Sequence, residues 1–262
     1  MRIAGAAKPN CVAVSAVRLA FVALVLLTAQ AAGADTLTVA VASNFRIAAQ
    51  ALAAEFTRAT GHEVRMSYAS TGKLHAQLMY GAPFDVFLAA DAQSPTVIEA
   101  SEFGVSGSRF TYALGYLVLW SAMDKRAQCG AALDGLNDAH LAIANPETAP
   151  YGRAAKEFLV NTGYWEQLGA QLVYGENVAQ ALHFAVTKNA RYALIAKAQA
   201  IDPKLPTTGC AWTIPSDSYS PIEQQAVLLQ RARHNPVAIA FLQFLQSPDS
   251  RDTIRRLGYG VP

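Results

Sequence analysis

The chain has 262 residues, 52% of them hydrophobic, with 21 Lys and Arg against 19 Asp and Glu for a formal net charge of +2. This suits one large or two small globular domains with a sizeable core. It excludes a nucleic-acid footprint and a charged tail, because no run of five or more like charges occurs anywhere.

The N-terminus reads as a separate object. Arg2, Lys8 and Arg18 precede the apolar run Leu19 to Leu27, and Ala32-Gly33-Ala34 follows as a small-residue cleavage site. This is the pattern of a secretory signal peptide over residues 1–34, with export from the cytoplasm and a mature chain starting at Asp35. The run is shorter than the ~20 apolar residues a membrane span needs. Cys11 lies inside the signal without a lipoprotein-type pattern around it, which leaves Cys129 and Cys210. In an oxidising compartment these two are expected to pair, the alternative being two buried thiols.

After the signal, strand and helix patterns alternate. In "DTLTVAVASNF", Leu37, Val39 and Val41 alternate as in a mostly buried strand; Phe45, Ala48, Ala49, Leu52 and Phe56 then recur at helical spacing up to Gly61, a C-terminal cap. "HEVRMSYASTG" leads into the helix "KLHAQLMYG", and the strand "FDVFLAAD" into a helix at "SPTVIEA". "RFTYALGYLVLWSA" is a long strand or strand pair, rich in aromatic and β-branched residues. "AHLAIANPETAPYG" is a strand running into the helix "RAAKEFLVNTG". "QLVYGENVAQALHFAVTKN" repeats strand, turn and helix; "RYALIAK" and "EQQAVLLQ" are strands; two helices broken at Ser247-Pro248 close the chain. Strands alternating with helices of this length predict parallel sheets flanked by helices.

Four strand-to-helix loops share one character. Ser43 and Asn44, Ser70 and Thr71, Pro150 to Gly152, and Asn177 and Val178 are small, polar or backbone-exposing residues where a helix begins. The first helical N–H groups lack partners inside the helix and carry part of the helix dipole, so several such ends brought together form an anion site without Lys or Arg. In parallel sheets these loops gather at the carboxyl ends of the strands. Each loop alone is also an ordinary N-cap. Enzyme motifs are sparse. Ser70 to Lys73 matches the S-x-x-K nucleophile motif, but no S-D-N or K-T-G accompanies it, and the five histidines sit at no metal-ligand spacing.

The segments "VAVASNF", "YASTGKLHAQLMYGAPFDVFLAAD", "ANPETAPYGRAAKEFL" and "GENVAQAL" resemble the periplasmic molybdate-binding proteins of ABC transporters, over essentially the whole of Asp35 to Pro262. The resemblance implies the type II periplasmic-binding-protein fold. Two α/β lobes, 35–116 with 226–262 and 117–225, would be joined by two crossing strands with a ligand cleft between them. It implies molybdate, and tungstate with it, as ligand of Ser43, Asn44, Ser70, Thr71, Tyr151 and Val178. An ABC permease would be the partner and a monomer the working form, with no cofactor and no enzymatic turnover. Relatives with a "VYG" segment use its Tyr hydroxyl on the anion; here Ala196 holds that place, and Asn44 or Tyr151 is expected to supply the missing donor. Another small oxyanion such as sulfate, or a secreted hydrolase using Ser70 and Lys73, are the alternatives.

Overall fold

The computed structural model describes Met1 and residues 36–123, 129–136, 139–206 and 209–262. The segment 1–34, read above as a signal peptide, lies outside the described residues apart from Met1. The order of elements is β1 (Thr36–Ala42), α1 (Arg46–Thr60), β2 (Glu63–Ala69), α2 (Thr71–Met79), β3 (Val86–Leu88), α3 (Gln93–Ala100), β4 (Phe110–Gly115) and β5 (Leu117–Ser121). There follow β6 (Leu141–Ala144), α4 (Pro150–Asn161), α5 (Tyr164–Gln167), β7 (Leu172–Gly175), α6 (Val178–Val186), β8 (Tyr192–Ala196), α7 (Lys197–Ala200), β9 (Cys210–Thr213), β10 (Ile222–Leu228), α8 (Pro236–Leu245) and α9 (Pro248–Arg256). A 3₁₀ turn, Ser43–Phe45, joins β1 to α1.

The strands form two five-stranded sheets, ordered β2-β1-β3-β10-β4 and β7-β6-β8-β5-β9. Each is the centre of an α/β lobe. Both are mixed rather than wholly parallel. The β1/β2, β1/β3, β6/β7 and β6/β8 pairs are parallel, while β10 runs against β3 and β4 and β5 runs against β8 and β9. The antiparallel strands are the ones that carry the chain between lobes. "RFTYALGYLVLWSA" divides at Tyr116, so that β4 belongs to one sheet and β5 to the other. The return strand enters the first sheet at Ile222, pairing with Gly115, rather than at residue 226. The helices α8 and α9 then pack on the first lobe, where Phe56 and Phe241 meet edge to face at 5.2 Å.

Local rules account for the element ends. Gly61 ends α1 at φ 77°, donating its N–H to Thr57 O at 2.8 Å, a left-handed cap that glycine adopts without a Cβ penalty. Asp85 is buried and accepts from the N–H and hydroxyl of Thr38, both at 2.7 Å. Cys129 and Cys210 are joined in a disulfide that closes 81 residues of chain. It ties the 3₁₀ segment Gly130–Gly135 to edge strand β9 and is worth about 4 kcal/mol by loop-closure entropy.

Candidate functional site

The four loops meet in one place. Ser43, Asn44, Ser70, Thr71, Tyr151 and Val178 line a single cavity, with Ala42, Ala90, Ala149 and Pro150 filling the gaps. All six are buried, none more than 5% exposed. The first lobe contributes the ends of β1 and β2, the second the starts of α4 and α6. The cavity is small, ≈ 10 Å³ for the centre of a water-sized sphere, against roughly 300 Å³ or more for a pocket that takes an organic ligand. Its lining carries no charged side chain.

The donors can be assigned one by one. The Thr71 hydroxyl accepts the Ala90 N–H at 3.0 Å, which leaves its own proton for an acceptor in the cavity. The Ser70 hydroxyl is buried with no hydrogen-bond partner, a state that native structures seldom leave unexplained. At the start of α6 the Asn177 side chain accepts the Ala179 and Gln180 N–H groups. The Val178 N–H is the one left over. Pro150 occupies the first turn of α4 and has no N–H of its own, so the Tyr151 N–H is the first on that helix that can reach inward.

Two expected roles change. Asn44 donates its side-chain NH₂ to Gln224 Oε1 at 2.8 Å and to Tyr259 OH at 3.3 Å. The Tyr151 hydroxyl accepts from Gln224 Nε2 at 3.4 Å and lies against Gly115, where a Cβ would sit 2.3 Å from it. Both N–H bonds of the Asn44 amide are thus committed away from the place of the hydroxyl absent at Ala196, and the Tyr151 hydroxyl is seated against Gln224 and Gly115. The Ala196 N–H itself donates to Gln199 Oε1 at 3.0 Å. The Gly72 N–H donates to Thr148 O of the opposite lobe at 2.8 Å, so the lack of a side chain at this position admits the other lobe.

The nearest cations are committed elsewhere. Lys73 Nζ lies 2.7 Å from Glu176 across the cleft, and Arg153 pairs with Asp91, also across the cleft. Lys73 is thus paired with the other lobe, and the Ser70 hydroxyl has no hydrogen-bond partner, Lys73 included.

A profile for bacterial extracellular solute-binding proteins matches residues 37–260. The chain belongs to this family. The molybdate-binding protein ModA of Azotobacter vinelandii is 43% identical over 90% of this chain and 94% of its own length. The ModA of Rhodobacter capsulatus is 41% identical over 90% and 93%. Among solved structures, the periplasmic molybdate-binding protein of Azotobacter vinelandii superposes with a TM-score of 0.81 at 36% identity, covering 86% of this chain and 99% of that one.

Tyr151 lines the cavity of this solute-binding protein, Tyr259 hydrogen-bonds to Asn44 of its lining, and Tyr112 to Gln224. Burial raises the phenol pKa of Tyr151 and Tyr112 well above the usual 10, with neighbouring tyrosines adding to it, and burial raises Tyr259 likewise. All three are therefore neutral hydrogen-bonding groups at ordinary pH. In the unfolded chain they ionise first, so the stability they hold is whole below pH ~10 and is lost as pH climbs toward the folded values, by up to about 1.4 kcal/mol per pH unit for each phenol. Thermal melts taken from pH 8 to 12 should show a steep fall beginning near pH ~10, shallower in Tyr151→Phe. An identical slope in that variant would show that the Tyr151 phenol is not held neutral by the fold.

Tyr112, Gln224 and Tyr259 are site-shaping residues that pattern reading passes over. One signal existed: three polar residues, Glu223, Gln224 and Gln225, stand together at the head of the otherwise apolar stretch "EQQAVLL".

Proposed function

We propose that this protein captures molybdate, and tungstate with it, after export by a signal peptide over residues 1–34, and delivers it to an ABC permease. It works as a monomer, by binding rather than turnover, and needs no cofactor. The observation that carries this reading is a small, uncharged cavity, walled by helix starts from both lobes and lined by Ser70, whose hydroxyl is buried and unpartnered. A dianion gives up its water there only if each oxygen gains donors. The Ser70 and Thr71 hydroxyls and the N–H groups of Asn44, Tyr151 and Val178 are such donors.

Neutral donors accept a fully deprotonated oxyanion and penalise one that carries an O–H, because that proton would face another donor. Phosphate, protonated near neutrality, is disfavoured on this ground. Sulfate has the charge of molybdate but shorter bonds to oxygen. Donors fixed on helix starts of two lobes cannot follow its oxygens inward, so size separates the two. Ligand contacts from both lobes favour the closed arrangement by their differential affinity, and the closed form is the one the permease receives.

Isothermal titration with molybdate, tungstate, sulfate and phosphate tests the reading. Tight binding of the first two and weak or absent heat from the others is expected. Comparable sulfate affinity would refute the size argument, and silence toward both metal oxyanions would refute the function. Thr71→Ala, which removes one hydroxyl donor, should weaken molybdate by about 1–3 kcal/mol.

A further inference from the structure

Two residues of the cavity lining, Asn44 and Tyr151, share one buried polar partner that does not itself line the cavity. Gln224, on β10, is fully buried. A buried amide is costly unless both its ends are bonded, and both are. Its Oε1 accepts the Asn44 side-chain NH₂ at 2.8 Å and faces the Tyr112 hydroxyl at 3.3 Å. Its Nε2 donates to the Tyr151 hydroxyl at 3.4 Å.

These partners come from both sides of the cleft. Asn44 belongs to the 3₁₀ turn of the first lobe, Tyr151 to the first turn of α4 in the second. Both also line the anion cavity. Asn44 is held from a second direction, since Tyr259 donates its hydroxyl to Asn44 O at 2.8 Å. The pairing of β10 with β4 slips between Gln224 and Gln225, so that Gln224 stands opposite Ala113, Gln225 opposite Thr111, and Tyr112 has no partner. Such a bulge re-aims side chains, and here it accompanies Tyr112 and Gln224 meeting over the same gap. Gly115 completes the seat: any Cβ there would press on both the Tyr151 hydroxyl and Gln224 Nε2.

We propose that Gln224 is a positioning residue that couples the two halves of the anion site. Its oxygen sets Asn44 and its nitrogen receives Tyr151 when the lobes close, so the N–H groups of the two loops reach the ligand together. The inference rests on the oxyanion reading of the cavity.

The test compares Gln224→Met, which keeps length but loses both hydrogen-bonding ends, with Tyr151→Phe, which loses the hydroxyl and keeps the N–H, and with the double variant. Molybdate titration and amide exchange of residues 43–45 in the ligand-free protein are the readouts. Gln224→Met should weaken molybdate about tenfold or more and Tyr151→Phe by a smaller factor. The double variant should bind no more weakly than Gln224→Met alone, because one link is cut in both. Exchange at residues 43–45 should quicken in Gln224→Met. A lower melting temperature with affinity unchanged would assign Gln224 to packing alone and overturn the proposal. A double variant showing the product of the two single losses would overturn the link to Tyr151. Were the wild type to bind no oxyanion, the function reading would fall by itself. Exchange would then decide, faster exchange supporting the positioning role and unchanged exchange ending it.

Discussion

Val178→Pro is expected to weaken molybdate binding by about 10- to 100-fold, the worth of one hydrogen bond to a charged group, while the protein melts close to the wild-type temperature. Proline at the first position of a helix removes an N–H that has no helical partner and supplies a φ already suited to the turn. This chain uses that substitution pattern itself, with Pro150, Pro236 and Pro248 opening α4, α8 and α9. The residue before a proline must be extended, and Asn177 already is, at φ −150° and ψ 173°. Its side chain continues to cap Ala179 and Gln180, and the Val178 carbonyl keeps the Gln199 side-chain NH₂ at 3.3 Å. Apart from the change of a buried side chain, the loss is the N–H proposed to face the anion. Val178→Ala is the control, expected to bind nearly as wild type because its N–H stays. Titration calorimetry of the two variants decides the matter; equal affinity in both would mean that the N–H of residue 178 does not reach the ligand.

Gly72→Ala should move stability and affinity in opposite directions. Gly72 is the second residue of α2, and alanine in place of glycine within a helix stabilises by roughly 0.5–1 kcal/mol. In the closed arrangement, however, the new Cβ would lie 2.9 Å from Thr148 O and 3.1 Å from Thr148 Cα. Both are backbone atoms of the other lobe and cannot rotate away. The lobes must part by some tenths of an ångström, stretching the Gly72 N–H to Thr148 O bond of 2.8 Å and every anion contact made from both sides. The ligand-free protein should therefore melt at or above the wild-type temperature, and molybdate should bind about tenfold more weakly, for the loss of roughly one net hydrogen bond. Gly72→Val, with more bulk at the same contact, should bind weaker still. Ligand-free melts and titrations on the same samples measure both quantities. Undiminished affinity in Gly72→Val would show that binding does not need this approach of the lobes.

The depth to which the residues could be read depended on how local their tasks are. Gly61, Asn177, Pro150 and Ser247 announce helix ends because capping is settled within a few residues of chain. Ser43, Asn44, Ser70, Thr71, Tyr151 and Val178 stood out at strand-to-helix joints for the same reason, and the resemblance implied a ligand for them; all six line one cavity. The parallel sheets expected from alternation became mixed sheets, because β4, β5 and β10 are placed by the passage of the chain between lobes and not by their own pattern.

The order of the elements, the position of their caps and the neutral character of the four loops were written in the sequence, since each follows from side-chain chemistry acting over one or two turns. Where the Asn44 amide and the Tyr151 hydroxyl point was settled only by tertiary structure, through Gln224, 180 positions from Asn44. The same holds for Gly72, whose neighbour Thr148 belongs to the other lobe. The physical reason is that a hydrogen-bonding group is directed by whichever partner packing brings within about 3 Å, and no local rule in the chain specifies a partner so distant.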